Sequence, residues 1–186
     1  MGWAILAIAI ALVLIGVNYW NRIQILDNRV KNSWAQIDVQ LKRRNDLVPN
    51  LVETVKGYAA HEQAAIEAVT TSRERMMQAG ARGDIDGQAE AANMMAGALK
   101  TIFAIAENYP DLKANQNFLV LQEELAGIEN KIAYARQFYN DSVLSFNNLI
   151  QTFPGLLFKG SRKPHVYLEV PEAEKAVPAV SFRAGA

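Results

Sequence analysis

The first 21 residues contain no Asp, Glu, Lys or Arg, and this is the tightest constraint on what the chain can fold into. Trp3 to Val17 is almost entirely Ala, Ile, Leu and Val, with one Gly. A helix of about 20 residues rises roughly 30 Å, the thickness of the hydrocarbon core of a bilayer. Trp3 lies near one end of the run, and Tyr19 and Trp20 at the other, where amphipathic aromatics meet the two membrane interfaces. Residues 1-21 are therefore expected to be a transmembrane anchor, with Leu6, Leu12 and Ile15 facing lipid between those aromatics. A secretory signal fits less well: no Lys or Arg stands in front, and the apolar run is long for such a segment. Met1-Gly2 suggests myristoylation, but position 6 is Leu where that motif needs Ser or Thr.

Flanking charge sets the expected orientation. Arg22, Arg29, Lys31, Lys42, Arg43 and Arg44 follow the span, against Asp27 and Asp38. The positive-inside rule places the C-terminal part in the cytoplasm and the N-terminus outside.

Beyond the anchor the apolar positions recur at alternating steps of three and four, which is a helical seam. One series runs Ile23, Leu26, Val30, Trp34, Ile37, Leu41 and on through Val48, Leu51, Val55 and Tyr58 to Met76, with Glu62 interrupting. A second runs from Phe118 through Leu125, Ile132 and Tyr139 to Phe153, at a mean spacing near 3.5. A stretch rich in small residues, Ile85 to Glu107, keeps the same period. The fold class is thus all-α: a single transmembrane helix followed by an antiparallel bundle of long helices over 22-153, then a Pro-rich tail over 154-186. Breaks are expected at Gly80–Asp84, with Asp84 as N-cap, at Asn108–Asp111, and at Pro154-Gly155. Asn45–Pro49 has two readings. The helix reverses there, giving four helices of similar length, or it only kinks at Pro49, giving three. The tail holds four of the six prolines. Its His165–Val170 alternates like a short strand, and Val177–Phe182, with Val177, Val180 and Phe182 as candidate contacts, could add to a partner's sheet edge.

Chemistry is hard to place on these residues. There is no cysteine, which excludes disulfides, thiolate metal sites and Cys nucleophiles. Lys+Arg and Asp+Glu are equal at 19 each, so the basic excess of a general nucleic-acid binder is missing. His61-Glu62 begins like a zinc-protease motif, but the second His would be at 65, which is Ala. Glu123, Glu124 and Glu129 lack the Glu-x-x-His partners of a two-metal bundle site and read as surface carboxylates. Lys42-Arg43-Arg44 reads as a solvated helix end. Met76, Met77, Met94 and Met95 read as core, and Asn140, Asn147 and Asn148 as candidates for fixing helix register. No catalytic, cofactor or metal residue is assigned.

The stretch Arg43-Arg44-Asn45-Asp46-Leu47-Val48-Pro49-Asn50-Leu51-Val52-Glu53-Thr54-Val55-Lys56-Gly57-Tyr58-Ala59, followed by His61-Glu62, closely resembles the LemA family. So do Asn108-Tyr109-Pro110-Asp111-Leu112-Lys113-Ala114, the last helix with Arg136, Tyr139-Asn140 and Phe146-Asn147, and the ending Val180-Ser181-Phe182. The resemblance implies a bacterial inner-membrane protein with one span and a cytoplasmic antiparallel four-helix bundle, which supports reversal near Asn45. It implies no catalytic residues. The expected role is a membrane-anchored, non-enzymatic scaffold or adaptor. Its partners would be the lipid bilayer, further copies of itself through the small-residue pair Ala7 and Ala11, and no nucleic acid. The other expectation is a regulatory subunit of a membrane protease or sensor kinase, bound through the bundle or the tail.

Overall fold

The computed structural model describes residues 1–169. Among these residues the chain is helical throughout its regular structure, with no strand. Helix α1 runs Gly2–Tyr58, α2 Gln63–Arg82, α3 Ile85–Ala106, α4 Pro110–Lys113, α5 Gln116–Gln151 and α6 Gly155–Phe158. The 57 residues of α1 give a rod of about 85 Å. Its first third is the charge-free run, exposed almost throughout. Its remainder buries Ile23, Val30, Ile37, Leu41, Val48 and Leu51, each at most 2% exposed, at the expected heptad-like steps.

The chain does not reverse at Asn45–Pro49. Proline removes the amide that would bond the carbonyl four residues back, which is that of Asn45. Arg73 of α2 supplies the missing donor: its Nε lies 3.2 Å from Asn45 O. With that carbonyl satisfied, α1 continues past Pro49. Asp46 caps nothing, and the turn falls at Ala59–Glu62, where the seam was expected to run on towards Met76.

The other breaks follow local chemistry. Gly83 closes α2 at φ 66°, the left-handed region that favours glycine. Asp84 then caps α3, its side chain accepting from Gly87 N at 2.9 Å. Pro110 occupies the first turn of α4, where its lost amide costs nothing. Asn115 caps α5 by accepting from Phe118 N at 3.0 Å and also donates to Tyr58 Oη at 3.0 Å. Glu62 accepts from Tyr109 Oη at 3.0 Å. The end of the helices far from the apolar run is thereby tied across its turns.

Helices α1 and α5 form the most extensive pairing, and α2 with α3 the next. Asp27 meets His165, Trp34 meets Tyr139 and Arg44 meets Glu129, so α5 and the chain after it descend beside α1 towards the apolar run. Two cores result. The distal one joins Leu51 and Val55 of α1, Val69 of α2, Leu99 and Ile102 of α3, and Leu125 of α5. The proximal one joins Ile23, Val30 and Ile37 of α1 to Ile132, Val143 and Phe146 of α5.

Candidate functional site

The apolar third of α1 places Trp3, Leu6, Leu12, Ile15 and Trp20 outward, all exposed. Ala7 and Ala11 are one turn apart on the same exposed run. Tyr19 differs: it is partly covered, because the ring of Phe158 from α6 stacks on it with centroids 5.8 Å apart and planes at 18°. The foot of the bundle therefore rests against the top of the apolar run.

Above that contact the chain turns back along α5 and is held in an extended form by two asparagines. Asn147 Nδ2 donates to His165 O and its Oδ1 accepts from His165 N, both at 2.9 Å. Asn140 does the same for Leu168, donating to the carbonyl at 3.0 Å and accepting from the amide at 2.9 Å. Each side-chain amide behaves as one rung of a sheet. The spacing fits: seven helical residues rise about 10.5 Å, and three extended residues span about 10 Å. Tyr139 Oη adds a bond to Val166 O at 3.3 Å. The alternating pattern at His165 is thus satisfied by a helix face, without a strand.

His165 is the hub of this foot. Its Nε2 lies 2.9 Å from Asp27 Oδ1 and its ring packs 4.9 Å from that of Phe146. Asp27 also pairs with Lys31 at 2.7 Å. Burial works against the charge on Asp27, but hydrogen bonds and charge from Lys31 and His165 outweigh it, and the carboxyl is held below its ordinary value of 3.8. Next to it Arg162 donates to Gln24 Oε1 at 2.7 Å and lies over the ring of Trp20, 4.5 Å from its centroid.

Two grooves flank α5 higher up. The one between α3 and α5 has a volume of about 540 Å³ and is floored by Arg44, Ala92 and Ala96, with Lys100 and Arg136 at its sides. Arg44 corrects the expectation of a solvated helix end. Its side chain is 1% exposed, bonded to Glu129 Oε1 at 2.5 Å and Ala92 O at 3.2 Å. Glu129 is likewise no plain surface carboxylate, although a third of its side chain still meets solvent. The other groove, between α1 and α5, exposes Val39, Tyr134 and Phe138, with Arg29 5.1 Å over the Phe138 ring.

His61, Glu123 and Glu124 are exposed. Met76 and Met95 are core, whereas Met77 and Met94 are exposed, which corrects the expectation that all four are buried. Among the described residues no three His, Cys, Asp or Glu side chains converge as metal ligands would. Val177, Val180 and Phe182 lie outside the described residues. Sequence reasoning missed Arg73, Asn115 and Arg162. Asn115 stands just before an apolar seam and was legible as a cap. The other two act on α1 from distant parts of the chain and carried no local signal.

The chain matches the family described as LemA family over residues 33–182. It is 28% identical over 131 residues to Protein LemA of Metamycoplasma hominis, covering 68% of this chain and 57% of that protein. It is 26% identical over 143 residues to Magnetosome protein MamQ of Magnetospirillum gryphiswaldense, covering 64% and 53%. It is 24% identical over 151 residues to Magnetosome protein MamQ 2 of Paramagnetospirillum magneticum, covering 69% and 55%. The chain spans a little over half the length of these curated relatives. The family match begins at Ser33, so it bears on the helices above the apolar run and not on the run itself.

Proposed function

This chain belongs to the LemA family, and we propose that it acts as a membrane-anchored, non-enzymatic scaffold or adaptor. The observation that carries the reading is the continuity of α1. One helix is both the exposed apolar run and the longest strut of the folded part, with no break between residues 21 and 22. A span joined in this way holds the bundle at a fixed stand-off and orientation from the bilayer. Presenting surfaces to neighbours at fixed height is what such a part can do. The surfaces on offer are the grooves beside α5.

In this reading the span crosses the bacterial inner membrane with the bundle in the cytoplasm, as Arg22, Arg29 and Lys31 favour. Copies associate through Ala7 and Ala11, whose small side chains let two helices approach closely. The test is the mass of the full-length protein in lipid nanodiscs, before and after Ala7→Leu with Ala11→Leu. The expected result is a uniform homo-oligomer that the double variant breaks down. An oligomer of unchanged size removes the span as the contact, and a monomer removes self-association.

A second reading is a regulatory subunit of a membrane protease or sensor kinase. The exposed Tyr134 and Phe138 favour it, since aromatics are enriched where proteins meet. A stoichiometric foreign protein co-purifying with a monomer would select it over the scaffold.

A further inference from the structure

We infer that α6 with the residues flanking it is a second membrane-binding site, which inserts into the bilayer interface beside the anchor and takes anionic lipid headgroups. The inference rests on the anchor reading above and adds a separate site to it. Phe153, Leu156 and Leu157 are 80%, 44% and 68% exposed, an apolar cluster that no part of the described chain covers. Its depth is fixed by contact with α1. The Phe158 ring stacks on Tyr19, and a Cβ placed on Gly16 would lie 3.2 Å from Phe158 Cε1. Gly16 is four residues, or about 6 Å, below Trp20 on the helix, inside the charge-free run. If the run is in lipid, Phe158 is at the boundary of headgroups and acyl chains, and Leu156 and Leu157 share that level.

The placement is enforced from above. Gly155 is buried against the carbonyl of Leu149, where any side chain would collide with the backbone, so α6 packs directly under the end of α5. The charge order also fits a bilayer. Lys159, Arg162 and Lys163 follow the apolar turn immediately as the chain climbs away from the span. Arg162 is already set at headgroup height by its contact with the Trp20 ring. An apolar face at acyl depth below cations at headgroup height is the arrangement of an interfacial segment, and it selects anionic lipid.

The natural absence of cysteine makes the test direct. Full-length protein carrying Leu157→Cys, Ile8→Cys or Glu124→Cys is spin-labelled at the one thiol. It is reconstituted in liposomes of phosphatidylcholine with phosphatidylglycerol. Collision with oxygen, which concentrates in lipid, is compared with collision with a water-soluble nickel complex. The expected result is oxygen excess at positions 8 and 157 and nickel excess at 124. Position 157 facing water while 8 faces lipid overturns the site and leaves the anchor standing. Both facing water overturns the anchor reading itself. A label at 157 shielded from both reagents means that protein, such as a second copy, covers the segment, and that also overturns the site.

Headgroup selection is read separately with a fluorophore at position 157 and brominated lipids. Brominated phosphatidylglycerol should quench it more than brominated phosphatidylcholine. That preference should fall by up to about fivefold for each of Lys159→Gln and Lys163→Gln at low salt. Equal quenching by the two lipids overturns the anionic preference.

Discussion

Pro49 sits inside a helix because a side chain from another helix does the work of its missing amide. Arg73 Nε satisfies the Asn45 carbonyl, and a buried carbonyl left without a donor costs about 1–3 kcal/mol. Arg73→Met should therefore destabilise the protein by about that amount in urea titration. In a Pro49→Ala background the helix bonds its own carbonyl, so most of the penalty should vanish. Additive effects of the two substitutions would sink this account, because groups acting through one shared atom must couple. Arg44 teaches the same lesson from the other side. In sequence it is one of three adjacent cations, and nothing local marks it as the buried one. Only Glu129 and the Ala92 carbonyl, supplied from α5 and α3, make that position tolerable.

Asp27 gives the acid response at the same scale. Its carboxyl is held below 3.8 in the fold, so the unfolded chain takes up the proton first. The contribution is present at neutral pH and is lost as pH falls below about 4. Asp27→Asn should be less stable than the wild type at pH 7, and the gap should close as pH is lowered to 3. A gap that stays constant over this range would show that the Lys31 and His165 contacts do not act through charge.

At the scale of elements, the seams were legible because burial on one helix face imposes its period on the sequence. The series through Ile23, Ile37 and Leu51 and the one through Phe118, Leu125 and Ile132 are the buried faces of α1 and α5. The cap at Asp84 and the helix start at Pro110 were legible because they act within one turn. The end of α1 was not. An internal proline beside an Asp reads locally as a helix start, while the actual break at Ala59–Glu62 carries neither Pro nor a side-chain cap. The extended segment after α6 had a strand's alternation but no strand to pair with. Asn140 and Asn147 replace it with two side-chain amides one heptad apart. Each makes two bonds of about 1 kcal/mol. Asn140→Ala should raise hydrogen exchange at Leu168 by roughly tenfold or more, and Asn147→Ala should do so at His165, with α5 itself unchanged. Protection that survives both substitutions would place the hold in packing of Leu168 instead.

The described residues form a rod with the apolar run at one end and the distal core at the other. Glu124 on α5 stands roughly 40 Å along the bundle from Arg22, on the exposed surface. If the bundle is cytoplasmic, Glu124→Cys should resist a membrane-impermeant maleimide in intact spheroplasts and react after lysis. Labelling before lysis would reverse the orientation read from the cations.

The sequence by itself determined the apolar run, the helical class and the faces that would be buried, because these rest on the chemistry of neighbouring residues and on the 3.6-residue period. The resemblance to the LemA family was likewise carried by contiguous motifs, and the match over residues 33–182 bears it out. Tertiary structure alone decided that α1 passes Pro49, that Arg44 is buried, and that α6 returns to the top of the apolar run. Each depends on one group meeting another far away in the chain: Arg73 with Asn45, Glu129 with Arg44, Phe158 with Tyr19. A local pattern holds no record of such partners, because the donor that satisfies a stray carbonyl or charge can come from any helix that folding brings alongside.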